Sequence, residues 1–382
     1  MDLSSYQAGQ YERQLEYRSF VPTPIHHAWI IADPQVSDLL SRADRALGAL
    51  NAFSQLVPDI DFFITMYVAK EATQSSRIEG TQTNIEDAFK DLDDLSPEDK
   101  DDWTEVQNYI RAINHAITSL ERLPFSNRLL RETHAILMEG VRGETKRPGE
   151  FRISQNWIGV SLKDAVFVPP HHERVPDLMS DLEKFLHDQE LRVPPLIRIA
   201  VAHYQFETIH PFLDGNGRLG RLMISLYLAS EELLSKPSLY LSDYFERNKT
   251  VYVDSMMAVR EGNHLREWLI FFLHGVEETA QLSIGVFRAI LALKEHIERE
   301  VLPHFSHRRQ GNVQALMRLL YKRPVVDVKY VTKMLATTTN TATSLIGDLV
   351  RHGVLVEMTG QRRNRLFAFA RYLELFARRP SE

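Results

Sequence analysis

The 382-residue chain contains no cysteine. Disulfides, thiol nucleophiles and Cys-based zinc sites are therefore excluded, and the composition fits a reducing compartment. Long apolar runs are missing too. The stretch around Trp268–Leu273 is too short to span a bilayer, so no membrane partner is expected. At the start, Met1-Asp2-Leu3-Ser4-Ser5 has no basic region leading into an apolar stretch, which argues against a secretory signal. A cytoplasmic location is the resulting expectation. Neither an internal repeat nor a low-complexity tract interrupts the chain. What remains is an ordinary globular composition, 44% hydrophobic and 25% charged, in a length that suits two or three domains.

Net charge is small, −6, but unevenly spread. From Glu300 onward 14 Lys and Arg face 6 Asp and Glu, an excess of eight positive charges that leaves −14 for the rest. Much of the acid lies in Glu86–Glu105, where Asp91, Asp93, Asp94, Glu98, Asp99, Asp101 and Asp102 crowd around Ser96-Pro97. That stretch reads as a solvated loop between helices.

The densest chemistry lies in His210-Pro211-Phe212-Leu213-Asp214-Gly215-Asn216-Gly217-Arg218-Leu219-Gly220-Arg221. A mostly apolar segment begins after Pro194-Pro195 and should run as a buried helix through Ile209, since proline suits a helix start. Pro211 disfavours helical backbone at His210, so the imidazole should sit where that helix stops. Leu219, Leu222, Met223 and Leu226 recur at helical spacing and predict a second helix. Arg218 and Arg221 fall in or near its first turn, where cations oppose the helix dipole. An anion held between them and the free backbone N–H groups reverses that sign. Gly215 and Gly217 allow the backbone of an anion-cradling nest. The junction reads as a polyphosphate seat. Asp214 offers magnesium a hard oxygen, and His210 is a candidate general base.

The same stretch resembles the Fic-family signature, HPFx(D/E)GNGRxxR, without departure at an essential position. The resemblance implies a nucleotidyltransferase that moves AMP from ATP to a protein hydroxyl. His210 would deprotonate the target Ser, Thr or Tyr, and Asp214 would hold Mg2+ on the phosphates. Gly215, Asn216 and Gly217 would bind phosphate oxygens, with Arg218 on the terminal phosphate and Arg221 supporting the chain.

Ser75-Ser76-Arg77-Ile78-Glu79-Gly80 resembles the family's inhibitory motif, (S/T)xxxE(G/N). Ser75 and Glu79 are four apart and should share a helix face, with Gly80 as the stop. The implied role of Glu79 is a salt bridge to Arg218. Asn156–Val160 and Ala165–Pro170 flank a polar turn at Lys163-Asp164 and read as a hairpin. Family members use such a hairpin as a flap that aligns the target by strand addition; Ile158, Val166, Phe167 and Val168 are its candidate positions. A plain surface hairpin is the alternative. In the family, the region after Tyr240 helps to form the adenine pocket. Tyr252 is the candidate ring contact, with Asn248 beside it; core packing by an aromatic at helical spacing is the other reading.

These readings predict a mainly α protein. An N-terminal arm and helical region spans 1–58. A Fic-type helical core spans 59–290, with the inhibitory helix near 66–80 and the flap near 156–168. A winged-helix-like α+β domain spans 300–382. In that last domain, Thr337 through Thr343 would head a recognition helix, and Arg362, Arg363 and Arg365 would lie on a wing able to meet DNA phosphates; protein contact or regulation is the alternative. The function expected is a self-inhibited protein adenylyltransferase acting on a partner protein or on itself, with a homodimer as one possible assembly. The rivals are a Fic-type enzyme that uses another nucleotide or removes AMP, and a DNA-binding regulator whose core senses nucleotide.

Overall fold

A computed structural model describes residues 3–57, 59–141, 145–360 and 364–377. The chain opens with an antiparallel hairpin, β1 (Gly9–Arg13) and β2 (Arg18–Pro22), in register Tyr11 opposite Phe20. Residue spacing alone marks this stretch only as an arm, and the structure makes it a paired hairpin. Phe20 is buried, and its N–H donates to Val168 O at 2.9 Å, which ties the hairpin to the chain beyond the flap.

α1 (Pro34–Leu56) starts with the Asp33 carboxylate accepting from Val36 N–H and with Pro at the first position. It buries Val36, Leu39, Ala43, Leu47 and Leu50 along the long helix described below. α2 (Ile60–Ile78) is capped by Glu79 and stopped by Gly80, whose φ of +110° suits glycine. α3 (Lys100–Ser119) and α4 (Asn127–Leu137) pack together. Between α2 and α3 the acidic segment is largely exposed around Asp91–Asp94, with Asp91 paired to Arg323 at 2.8 Å.

The flap is a short antiparallel hairpin, β3 (Ile158–Gly159) with β4 (Ala165–Phe167). α5 (Val175–His187) leads to α6 (Pro195–Ile209), which is buried on all sides, its polar Arg198, His203, Gln205, Glu207 and Thr208 included. α7 (Asn216–Ser230) packs against α6. α8 (Ser242–Arg247), α9 (Lys249–Gly262) and the 32-residue α10 (Leu265–His296) complete the core. α10 unwinds into a π turn at Ile297–Val301. Trp268, Tyr109, Tyr204, Phe206 and Phe212 are among the largest fully buried side chains.

The last region is α11 (His307–Lys322), β5 (Val325–Val326), α12 (Val328–Met334), α13 (Thr339–Arg351), β6 (Val356–Glu357), β7 (Phe367–Ala368) and α14 (Ala370–Ala377). The strands form an antiparallel sheet in the order β5-β7-β6. The apolar spacings Val313-Leu316-Met317-Leu320, Val331-Met334-Leu335 and Ala342-Leu345-Ile346-Leu349 predict the helices α11–α13, and the runs Val354–Glu357 and Arg365–Phe369 predict β6 and β7. β5 and α14 were not foreseen: a two-residue strand carries no periodicity of its own. Arg362 and Arg363 lie outside the described residues. Among those described, no helix is long and apolar enough to cross a membrane.

Candidate active site

α6 ends one residue before His210, which takes left-handed backbone, φ 50° and ψ 60°. That turn aims the chain across the cleft, and three side chains from the preceding segment hold it there. Arg152 Nε donates to His210 O at 2.9 Å. Asn156 Nδ2 donates to His210 O at 3.1 Å and to Phe212 O at 2.8 Å. His134 Nε2 donates to Asp214 O at 2.9 Å while its Nδ1 accepts from Gly149 N–H, and its ring stacks on Phe212 at 3.9 Å. None of these three was a sequence-predicted support. They come from segments far along the chain, so no local spacing announces them.

The His210 ring nitrogen Nδ1 is buried without a partner among the described residues. Burial first, then the positive charges of Arg152 and Arg260, lowers its pKa to about 4. His210 is therefore neutral at pH 7 and able to accept a proton.

Asp214 behaves differently. Burial raises its pKa, but Lys146 at 3.1 Å and the Gly215 N–H at 2.7 Å outweigh that and lower it overall. It is an ionised oxygen donor at the mouth of the cleft. Among the described residues, no group of three or more His, Asp or Glu could hold a metal by itself.

Gly215 caps α7 without a side-chain acceptor, in left-handed backbone. The first-turn N–H groups therefore lack an intrahelical partner, as at any helix start. The Asn216 side chain is not free to help them. Its Oδ1 accepts from Phe212 N at 2.8 Å and its Nδ2 donates to Phe212 O at 2.9 Å. Asn216 staples the loop, so its contribution to a phosphate seat is its backbone N–H, not its amide.

The two arginines have different partners, and here the sequence expectation is corrected. Glu79 does not pair with Arg218. Its Oε1 lies 2.6 Å from Arg221 Nη2. Arg221 also donates from Nε to Ser75 Oγ at 2.9 Å and from Nη2 to Ser75 O at 2.8 Å. Arg218 instead pairs with Glu105 of α3 at 3.0 Å. The reason is where the helices lie: Arg218 points to α3, whereas Arg221, one turn on, reaches the C-terminal end of α2. Burial raises the Glu79 pKa, but Arg221 and then Arg218 bring it below the ordinary carboxylate value. A side chain on Gly217 would collide with Glu79 Oε1, so the carboxylate rests directly on the first turn of α7.

His210, Asp214, Gly215, Asn216, Gly217, Arg218, Arg221 and Glu79 all line one cleft of about 520 Å³, with Ile158 and Val166 at its flap side. Phe167 also borders it, yet Phe167 and Val168 are buried, with Phe167 under the Arg260 guanidinium. Those two anchor the flap; the exposed positions are Ile158 and Val166. Tyr252 lines the cleft but is chiefly a core residue. Its ring stacks on Phe245 at 4.4 Å and its hydroxyl bonds His203 Nε2 at 2.8 Å. Asn248 turns back to Tyr244 O and is not brought to the cleft; Lys249, Val253 and Met256 are. Glu207, missed by the sequence reading, lies three residues before His210 and faces the same cleft. Burial pushes it up to about 7. Its one-turn spacing from His210 is the local signal by which the sequence could have found it.

Residues 37–118 match the Fic/DOC family N-terminal model and residues 124–228 the Fic/DOC family model. This is a Fic-domain protein. The protein adenylyltransferase fic-1 of Caenorhabditis elegans is 30% identical over 120 residues, 31% of this chain and 22% of that protein. The probable protein adenylyltransferase aq_aa38 of Aquifex aeolicus is 31% identical over 98 residues, 26% of this chain and 28% of that one. This chain thus spans about a quarter of the curated relatives it matches. A crystallised Fic family protein from Desulfovibrio desulfuricans G20 shares the fold, with a TM-score of 0.54 at 19% identity, over 90% of this chain and 98% of that one. The Fic match at 124–228 ends within α7, so it takes in the whole His210–Arg221 junction, and the N-terminal match takes in Ser75 and Glu79.

Proposed function

We propose that this Fic-domain protein transfers AMP from ATP to a hydroxyl side chain of a target protein or of itself. The observation that carries the reading is the junction of α6 and α7. A neutral imidazole, an ionised carboxylate, a capless helix start and two buried arginines meet in one cleft. Phosphoryl-type transfer asks for that set: a base, positioning and charge stabilisation.

In the proposed reaction His210 accepts the proton of the target Ser, Thr or Tyr hydroxyl. The hydroxyl oxygen bonds to the α-phosphorus as the bond from that phosphorus to the bridging oxygen breaks, and pyrophosphate leaves. The Gly215–Arg218 backbone and the two guanidiniums carry the phosphate charge. Asp214 suits Mg2+, which takes one or two protein carboxylates and completes its shell with phosphate and water; the ion would neutralise phosphate charge there. Exposed Ile158 and Val166 offer a strand edge for target backbone.

Glu79 is the restraint in this reading. Its carboxylate rests against Gly217 and Arg221, an anion already in the seat that a terminal phosphate needs. The C-terminal order helix–strand–helix–helix–strand–strand, followed by α14, supports reading this region as a winged-helix-like regulatory attachment. The test is labelled-AMP incorporation from α-labelled ATP with Mg2+. Wild type, Glu79→Gly and Glu79→Gly/His210→Ala are compared. Strong labelling in Glu79→Gly alone supports transferase and restraint together. Equal labelling of wild type and Glu79→Gly removes the restraint. No labelling in any variant, with ATP binding intact, overturns the transfer reading and favours a nucleotide sensor.

A further inference from the structure

α2 presents one stripe at four-residue spacing: Tyr67, Glu71, Ser75 and Glu79. The lower half of the stripe, Ser75 and Glu79, clamps Arg221. The upper half, Tyr67 and Glu71, lines a separate cavity of about 260 Å³ beneath α14, walled also by α10. Tyr67 meets Phe376 of α14 edge-to-face at 5.3 Å and donates to Ser283 O of α10 at 3.1 Å. One helix therefore joins this cavity to the active-site clamp.

The chemistry of the walls defines an occupant. Leu282, Val286, Ala289, Leu375 and Phe376 make most of them apolar. The charged groups are already satisfied. Lys70 pairs with Asp243 at 3.4 Å, and Glu71 accepts from Tyr109 Oη, Ser242 Oγ and Ser242 N–H. A charged ligand gains no free counter-ion. Tyr240 also lines the cavity, and its hydroxyl is buried without a partner among the described residues; a buried polar group in that state asks for a bond. Gly285 leaves room on α10, where an added Cβ would meet nothing within 4 Å. A cavity of roughly 150 Å³ takes benzene, so this one suits a bicyclic ring.

We propose that the cavity between α2, α10 and α14 binds a small neutral aromatic molecule carrying one hydrogen-bonding group, and that its occupancy holds α2 in the clamped position. The ring packs against the wall that Tyr67 and Phe376 form together, and its polar group meets the Tyr240 hydroxyl. By adding contacts on α2, α10 and α14 together, the ligand stabilises α2 where it stands and so keeps Glu79 on Arg221. The regulatory half of this proposal rests on the restraint reading above; the binding half does not.

Indole is the probe, and no transfer activity is needed to read the result. Saturating indole should raise the melting temperature of the full chain by about 2–4 °C and slow amide exchange over residues 67–78 at least threefold. Gly285→Leu and, independently, Ala289→Phe fill the space and should abolish both effects while melting near the wild type. Should one variant fail to fold, the other carries the comparison. No saturable rise with indole, or an equal rise in the filled variants, overturns the site. A saturable rise with unchanged exchange over 67–78 overturns the coupling to α2. A failed AMP-labelling assay would leave both readouts intact, so the two readings fail separately.

Discussion

Glu79 Oε1 lies 2.6 Å from Arg221 Nη2, and the same guanidinium is held twice more by Ser75. The final turn of α2 thus engages a buried arginine of α7 with three hydrogen bonds. Removing the carboxylate should uncover the first turn of α7 and leave Arg221 held by Ser75. Glu79→Gly is expected to tighten ATP binding or raise self-labelling at least about tenfold, which corresponds to ~1.4 kcal/mol. Calorimetric titration with ATP checks the binding arm. An unchanged affinity together with unchanged labelling would remove Glu79 from the seat.

Arg218 and Glu105 form a second pair, with both side chains nearly buried. Glu105→Ala strands the Arg218 charge, whose Nε already has no partner among the described residues. Breaking such a pair costs roughly 3–5 kcal/mol. Denaturant unfolding should show a loss of that order. A loss below about 1 kcal/mol would mean that water solvates Arg218.

Asn216 closes both ends of its amide on Phe212. Asn216→Ala leaves the buried Phe212 N–H unpaired, at about 1–3 kcal/mol, while Phe212 O keeps its bond from Asn156 Nδ2. Stability should fall, and labelling in a Glu79→Gly background should fall further than stability explains, because the loop also carries His210 and Asp214. Wild-type labelling in the folded variant would show that the staple does not position the site.

Acid should destabilise the protein through its buried histidines. Burial is the leading cause in each case: it lowers His134 and His210 to about 4 and His203 to about 3. Unfolded histidine titrates near 6.5. Below that value the unfolded chain binds protons that the native state refuses, so stability falls as pH drops from about 6.5 toward 4. Denaturation midpoints at pH 7 and pH 5 check the sign. A higher midpoint at pH 5 would contradict it.

The same value for His210 predicts the rate profile. The base form is complete well above pH 4, so labelling by Glu79→Gly should not rise between pH 6 and 8 on account of this histidine. An NMR titration of the His210 ring with a midpoint near 6.5 would refute the burial argument.

Much of the core was legible in residue spacing. The stop of α6 before His210 follows from Pro211, and the start of α7 follows from the apolar repeat after Arg218. The α2 stop at Gly80 and the flap hairpin were also written locally, in a glycine and in two β-prone runs. What escaped notice was short or distant. β5 has two residues, too few for a period. Lys146, Arg152, Asn156 and His134 act on the motif loop from segments 54 to 80 residues away in the case of the hydrogen bonds they make.

The sequence by itself determined which groups meet at the α6–α7 junction, because His210, Asp214 and the two arginines sit within one turn–helix unit whose geometry is local. Only the tertiary structure decided their partners. Glu79 reached Arg221, Arg218 went to Glu105, and Tyr252 went into the aromatic core, because helix packing and not spacing chooses which buried charge neutralises which. A charge taken out of water must find its counter-charge in three dimensions, and the chain order carries no record of that choice.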